Sequence, residues 1–143
     1  MTVGGMRNVM LLPRNVTRVR YLVDAMNVVG SRPDGWWRDR PAALRRLVHR
    51  LEAWSVAEGA EVTVVLEHPQ PIDSTVITVA YAPAAAANSA DEEIMRRLRA
   101  AEDPGGIVVV TSDAILAERV RAAGAGTLPA GRFRDLLDDS GRR

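Results

Sequence analysis

The chain has 143 residues, 47% of them hydrophobic, which suits one globular domain with a buried core. It has no cysteine and only two histidines, so disulfides and thiolate metal centres are excluded. Any metal site must be built mostly from oxygen, which suits Mg²⁺ or Mn²⁺ better than Zn²⁺. The net charge of +1 does not by itself mark a nucleic-acid binder, and the basic residues are all arginine, as genome base composition would explain. No apolar run is long enough to span a bilayer, and the first residues lack a secretory pattern, so the expectation is a cytoplasmic protein with no membrane partner.

Residues 1–17 have no clear period and contain Gly4-Gly5 and Pro13. They read as an N-terminal arm, mobile or lying at an edge, with Val9–Leu12 as a short strand, and the domain is expected over 18–143. Arg18–Val23 reads as a central parallel strand that carries Asp24 into a loop through Asn27 and Gly30. Ser31–Arg40 is a loop of turn formers. Pro41–Glu58 is the clearest helix: Pro41 suits its first turn, Leu44, Leu47, Val48, Leu51 and Trp54 share one face, and Gly59 stops it. Val62–Glu67 and Val76–Tyr81 are strands, joined by a proline-containing loop at His68–Ser74. That connection is short for a parallel crossover, so the pair is either antiparallel or crosses without a helix.

Ala82–Asn88 is a stretch of small residues. Asp91–Ala101 is a helix, Asp103–Gly106 a turn, and Ile107–Val110 a wholly apolar strand. Asp113–Ala123 is a helix closed by Gly124, Thr127-Leu128 an edge strand, and Gly131–Asp138 a last helix anchored by Phe133, Leu136 and Leu137. Strands alternating with helices argue for a parallel α/β sheet.

Three apolar runs end on an acid: Asp24, Glu67 and Asp113. Parallel sheets bind ligands at the carboxyl ends of their strands, so one acidic cluster is expected there. Each acid also has a structural reading. Asp24 can cap a turn, and Asn27 can bond the backbone of that turn. Ser89 and Glu92 have capping-box spacing, with Asp91 in the first turn. Asp91 nevertheless shares a stripe with Ile94, Met95 and Leu98, so it needs a metal or a buried arginine as partner, whereas Glu93 falls outside the stripe and is expected in solvent. Ser112 or Asp113 can cap the following helix, and the hydroxyls of Thr111 and Ser112 can orient water or phosphate. Glu67, followed by His68, suits a salt bridge as well as a site. Trp36 and Trp37 lie among arginines and either stack on unpaired bases or cover the core.

The stretches LVDAMNVVG (Leu22–Gly30), SADEEI (Ser89–Ile94) and VVVTSD (Val108–Asp113) resemble the NYN domains, a PIN-like nuclease branch, and within them the YacP-like proteins. The closing GAGTLPAGRFRDLL (Gly124–Leu137) resembles the family's tail, so the likeness runs from about Arg18 to Asp138. It implies a PIN-like three-layer α/β sandwich, with a central, mostly parallel sheet of four to five strands flanked by helices. It also implies Mg²⁺- or Mn²⁺-dependent cleavage of RNA at an acidic pocket. On that resemblance Asp24, Asp91 and Asp113 are the catalytic, metal-binding acids, Asn27 braces the pocket and Ser112 assists at its rim. Ala25-Met26 replaces the family's usual Gly-Tyr. Glu67-His68 stands where many relatives have Asp-Gly, which leaves a fourth acid and a second metal open.

The expectation is therefore a metal-dependent ribonuclease, with Arg45, Arg46 or Arg97 holding RNA phosphates and Trp36 and Trp37 meeting bases. The alternatives are a non-catalytic RNA-binding or ribosome-associated module and a toxin of a toxin–antitoxin pair. A homodimer or a small protein partner is compatible with each.

Overall fold

A computed structural model describes residues 18–82 and 89–141. The arm at 1–17 and most of the small-residue stretch at 82–88 lie outside them. Five strands, β1 (Arg20–Asp24), β2 (Glu61–Leu66), β3 (Thr78–Tyr81), β4 (Ile107–Val110) and β5 (Gly126–Leu128), form one sheet in the order β3-β2-β1-β4-β5. Every neighbouring pair is parallel, with Val23 opposite Val64 on one side and Val110 on the other. This is a parallel version of the expected PIN-like α/β sandwich. The strands β2 and β4, largely buried, read as valine-rich runs.

Helices α1 (Ala25–Val29), α2 (Arg40–Glu58) and α5 (Ala130–Gly141) cover one face of the sheet, and α3 (Ser89–Ala100) and α4 (Ala114–Ala122) cover the other. The first core centres on Phe133, which stacks on Tyr21 and meets Trp54 edge-on, with centroids 6.1 and 5.1 Å apart. Such pairs add about 0.5–1.5 kcal/mol each beyond their burial. Phe133 and Leu137 anchor α5 as expected, whereas Leu136 is exposed. Ion pairs from Arg32 and Arg50 to Asp138, and from Arg32 to Asp135, strap α5 to the α1–α2 side.

Two sequence expectations need correction, and one left open is decided, since β2 and β3 are parallel. The segment after Asp24 is a helical turn, α1, rather than a loop. The β2–β3 connection crosses without a helix: Ile72 and Ile77 bury into the core beside α2. Ser74 holds that loop by accepting from the Val76 and Ile77 N–H groups and donating to Glu52 Oε2 at 2.6 Å. The second correction concerns α3, where the capping box does not form. Ser89 is already helical and donates to the Glu67 carbonyl at 3.0 Å, while Glu92 pairs with Arg119.

Candidate functional site

The chain leaves β1 to build β2 and β3 on one side, then returns to place β4 against β1 on the other. The strand order reverses between β1 and β4, and a crevice at the carboxyl ends of such strands is where open α/β sheets bind ligands. Asp24 ends β1 at this point, and Thr111, Ser112 and Asp113 follow β4.

Asp24 is 2% exposed. Asn27 Nδ2 donates to its Oδ2 at 2.7 Å, and the Thr111 hydroxyl donates to the same oxygen at 3.0 Å. Asn27 sits one helical turn beyond Asp24 because α1 starts at once, and its Oδ1 accepts from the Ser112 N–H at 3.1 Å. One amide thus joins the ends of β1 and β4. The Thr111 oxygen in turn accepts from the Asp113 N–H at 3.1 Å. Asp113 caps α4: its Oδ1 accepts from the Ile115 and Leu116 N–H groups at 2.9 and 3.0 Å. The Ser112 hydroxyl accepts from the Ala130 N–H at the start of α5.

The electrostatics are those of acids near one another at one sheet edge. Burial pushes the Asp24 carboxyl up to about 6, and the charges of Asp91 and Glu67 push the same way, against the hydrogen bonds from Thr111 and Asn27. Asp91, half-buried at the start of α3, is also raised, first by burial and then by Asp113. The nearby Arg119 guanidinium draws it back. Asp24 and Asp91 thus each feel neighbouring acids, Asp91 and Glu67 for the first and Asp113, Glu92 and Glu67 for the second. Among the described residues, no three Asp, Glu or His side chains converge tightly enough to cage a metal ion by themselves.

The YacP-like NYN domain family matches residues 21–143. The chain belongs to that family. A Trp-to-Leu mutant of Rae1 (YacP) from Bacillus subtilis is similar in structure, with a TM-score of 0.74 at 23% identity. The match covers 87% of this chain and 77% of that one. A second crystal structure of Rae1 (YacP) from the same organism gives 0.70 at 22% identity, covering 86% and 75%. At these identities the likeness speaks for the fold. No curated protein matches the chain.

Outside the crevice, this YacP-like domain distributes its expected contact residues unevenly. Arg45 and Arg46 are exposed on α2, where Arg45 faces the β2–β3 loop and Arg46 faces α5. Arg97 lies at the opposite edge of the sheet, beside Arg20 and Ile107 at the strand beginnings. The 12-residue α3 carries it down the sheet, away from the acids that α3 meets at its first turn. Its Nε is bound to Glu93 at 2.8 Å. Glu93, expected in solvent, is buried because Arg96 and Arg97 fold over it, and their hydrogen bonds hold its carboxyl below the usual range. The two tryptophans divide the two roles open to them. Trp36 packs half-buried on the core, and Trp37 is 49% exposed, with Arg38 5.8 Å from its ring centre.

Two arginines escaped the sequence reading. Arg119 reaches Glu92 at 2.9 Å and bridges α4 to α3 beside the pocket. Arg134 donates to the Val28 carbonyl at 3.2 Å and to Asp34 at 2.9 Å. Both act across long sequence separations, and no local spacing marks such pairs.

Proposed function

We propose that the domain is a divalent-metal-dependent ribonuclease that hydrolyses phosphodiesters of RNA at the pocket of Asp24, Asp91 and Asp113, with Glu67 as a fourth acid at its rim. The observation that carries this is Asp24: a carboxylate buried at the reversal point of the sheet, braced by Asn27 and Thr111, and raised by the charges of Asp91 and Glu67. A buried charge among like charges is costly, and a fold retains one where a cation or a reaction uses it.

The donor set fits Mg²⁺ or Mn²⁺. The available atoms are carboxylate oxygens, and Mg²⁺ is usually bound by one or two carboxylates, with water and substrate phosphate completing its shell. Asp24 with Asp91 or Asp113 meets that requirement without a three-acid cage. When bound, such a cation offsets the mutual repulsion of the acids and stabilises negative charge on the phosphate undergoing attack. The protein's own groups supply position. Asn27 and Thr111 fix the Asp24 carboxylate, and the cap fixes Asp113 through one oxygen while leaving the other to face ligand. Ser112 ties this loop to α5. Arg45 and Arg46 hold the strand by its phosphates without reading sequence. Trp37 offers an exposed ring for an unpaired base.

The test is a metal titration on mixed single-stranded RNA, with Mn²⁺ or Mg²⁺ against EDTA and Asp113→Asn alongside. Cleavage that needs metal and is lost in the variant supports the proposal, and undiminished cleavage in the variant refutes the site. A second reading, a non-catalytic RNA-binding module, rests on Glu67-His68 standing where many relatives have Asp-Gly. Metal-independent RNA binding that Arg46→Ala weakens, with no turnover under either ion, would select it.

A further inference from the structure

A cavity of about 250 Å³ opens at the carboxyl end of β2, where the start of α2 meets α1. Leu44, Leu66 and Met26 form its apolar walls, and Arg40, Glu67 and Gln70 supply polar groups. Leu44 and Leu66 are buried and Met26 packs on the same core, so the walls are fixed. At about 30 Å³ per water the cavity holds roughly eight waters, or one nucleobase. It adjoins the acids. Val65 lies opposite Asp24 in the sheet, and Glu67 follows shortly after on the same chain segment. Met26 follows Asp24 on α1. The Glu67 charge acts on both Asp24 and Asp91, and Glu67 lines the cavity as well. Glu67 and Gln70 are held through their main-chain carbonyls, which accept from the Ser89 hydroxyl and the Ile72 N–H, so their side chains are left to a ligand. The Arg40 guanidinium lies 5.3 Å from the Trp36 ring centre, a stacking that leaves its N–H edge available. The chain's two departures from the family motifs, Ala25-Met26 and Glu67-His68, converge here, since Met26, Glu67 and His68 all line the cavity. Shared acids fix the chemistry, and a changed wall beside them changes which substrate is preferred.

The polar groups select among bases. A carboxylate only accepts hydrogen bonds and a guanidinium only donates them. Guanine is the RNA base whose pairing edge sets two adjacent donors, N1–H and the N2 amino group, beside an acceptor, O6. Adenine and cytosine offer one donor group beside a ring-nitrogen acceptor, and uracil offers one donor between two acceptors. Unpaired bases are read on this edge while their faces stack, and the Met26 thioether favours contact with an aromatic ring. We propose that this cavity is a guanine-recognition subsite. The Glu67 carboxylate accepts from N1–H and the amino group, Arg40 donates to O6, and the ring lies against Leu44, Leu66 and Met26. The domain then cuts RNA beside a guanine. The inference rests on the ribonuclease reading for the cut, and not for the binding.

The experiment is RNA binding in EDTA, where no metal-dependent cleavage competes. The probes are short fluorescent oligouridylates with a single central guanine, adenine or cytosine, and the all-uridine strand, compared by anisotropy at one salt concentration. A bidentate base contact discriminates roughly 5- to 150-fold, and the guanine strand should bind tighter than the others by at least the low end of that range. The adenine strand controls for stacking on Trp37, which does not read the pairing edge. Glu67→Gln keeps the side chain's shape, puts a donor where an acceptor stood, and should remove most of the preference. Arg40→Gln should lessen it. Both residues are exposed, so both variants should fold, and their melting temperatures are recorded. Removing an acid raises affinity for every strand, but the ratio between strands cancels that gain. Glu102→Gln, at an exposed acid just beyond α3, should keep the full preference. Equal affinity for the guanine and adenine strands, or a guanine preference undiminished in Glu67→Gln, overturns the subsite. Cleavage of the same strands in Mn²⁺ is scored separately. Guanine-selective binding without cleavage discards the nuclease reading alone, and cleavage with no guanine preference discards the subsite alone.

Discussion

Replacing Asp24 by Asn should make the metal-free protein more stable and inactive at once. Both hydrogen bonds to Asp24 fall on Oδ2. An asparagine that places its carbonyl oxygen there keeps them and turns its amide toward the other acids. The charge is what changes. Burial, with Asp91 and Glu67, raises the carboxyl from 3.8 to about 6. Each unit is worth about 1.4 kcal/mol, so ionising Asp24 in the folded state costs roughly 3 kcal/mol. A carboxyl raised on folding is bound more tightly by its proton in the native state. The wild type therefore loses this stability as pH rises from about 4 through about 6, and the variant does not. Urea unfolding in EDTA should show the two proteins close together near pH 3.5. Above pH 7 the variant should lead by up to about 3 kcal/mol, or roughly 6–12 °C in melting temperature. Added Mg²⁺ or Mn²⁺ should narrow the gap by stabilising the wild type alone. A gap that does not grow between pH 4 and pH 7 would refute the reasoning, because it would mean the Asp24 charge is not confined as described.

Substitutions at three further residues separate structure from chemistry. Asp113→Ala removes the cap of α4 and should cost about 1 kcal/mol in unfolding experiments, whereas Asp113→Asn, a comparable cap, should stay within a few tenths while losing cleavage. Glu93→Ala breaks hydrogen bonds to Arg96 and Arg97. It should destabilise by about 1–2 kcal/mol, the low end for charged hydrogen bonds because both arginines can turn to water. Metal-dependent cleavage per folded molecule should be unchanged, and a loss of kcat there would place Glu93 in the wrong role. Phe133→Ala empties the centre of the Tyr21–Trp54 cluster and should cost about 3–5 kcal/mol, measured by denaturant midpoint.

The elements legible in the sequence are those whose signals are local. Leu44 to Trp54 repeat at helical spacing on α2, Gly59 closes it with φ near 64°, and the valine runs of β2 and β4 mark buried strands. The acids at the strand ends were legible for the same reason, since a parallel strand must deliver its last residue to one edge. Glu93 was misread because helical phase measures only distance from the apolar stripe. It does not register two arginines, three and four residues on, folding over the carboxylate. Arg97 was assigned to RNA on charge alone, and only the direction of α3 shows that it ends up across the sheet from Asp24.

By itself the sequence determined the parallel α/β class, the family and that Asp24 and Asp113 lie at the carboxyl ends of strands, because propensity, periodicity and motif are properties of neighbouring residues. Tertiary structure alone decided that β4 lies against β1, so that Asn27 can hold Asp24 and Ser112 together, and that Arg134 meets Val28 and Asp34. The bonds of Asn27 to Ser112 and of Arg134 to Val28 and Asp34 join residues 85 to 106 positions apart. Pairings of that range are chosen by how whole helices and strands pack, and no window of the chain contains both partners.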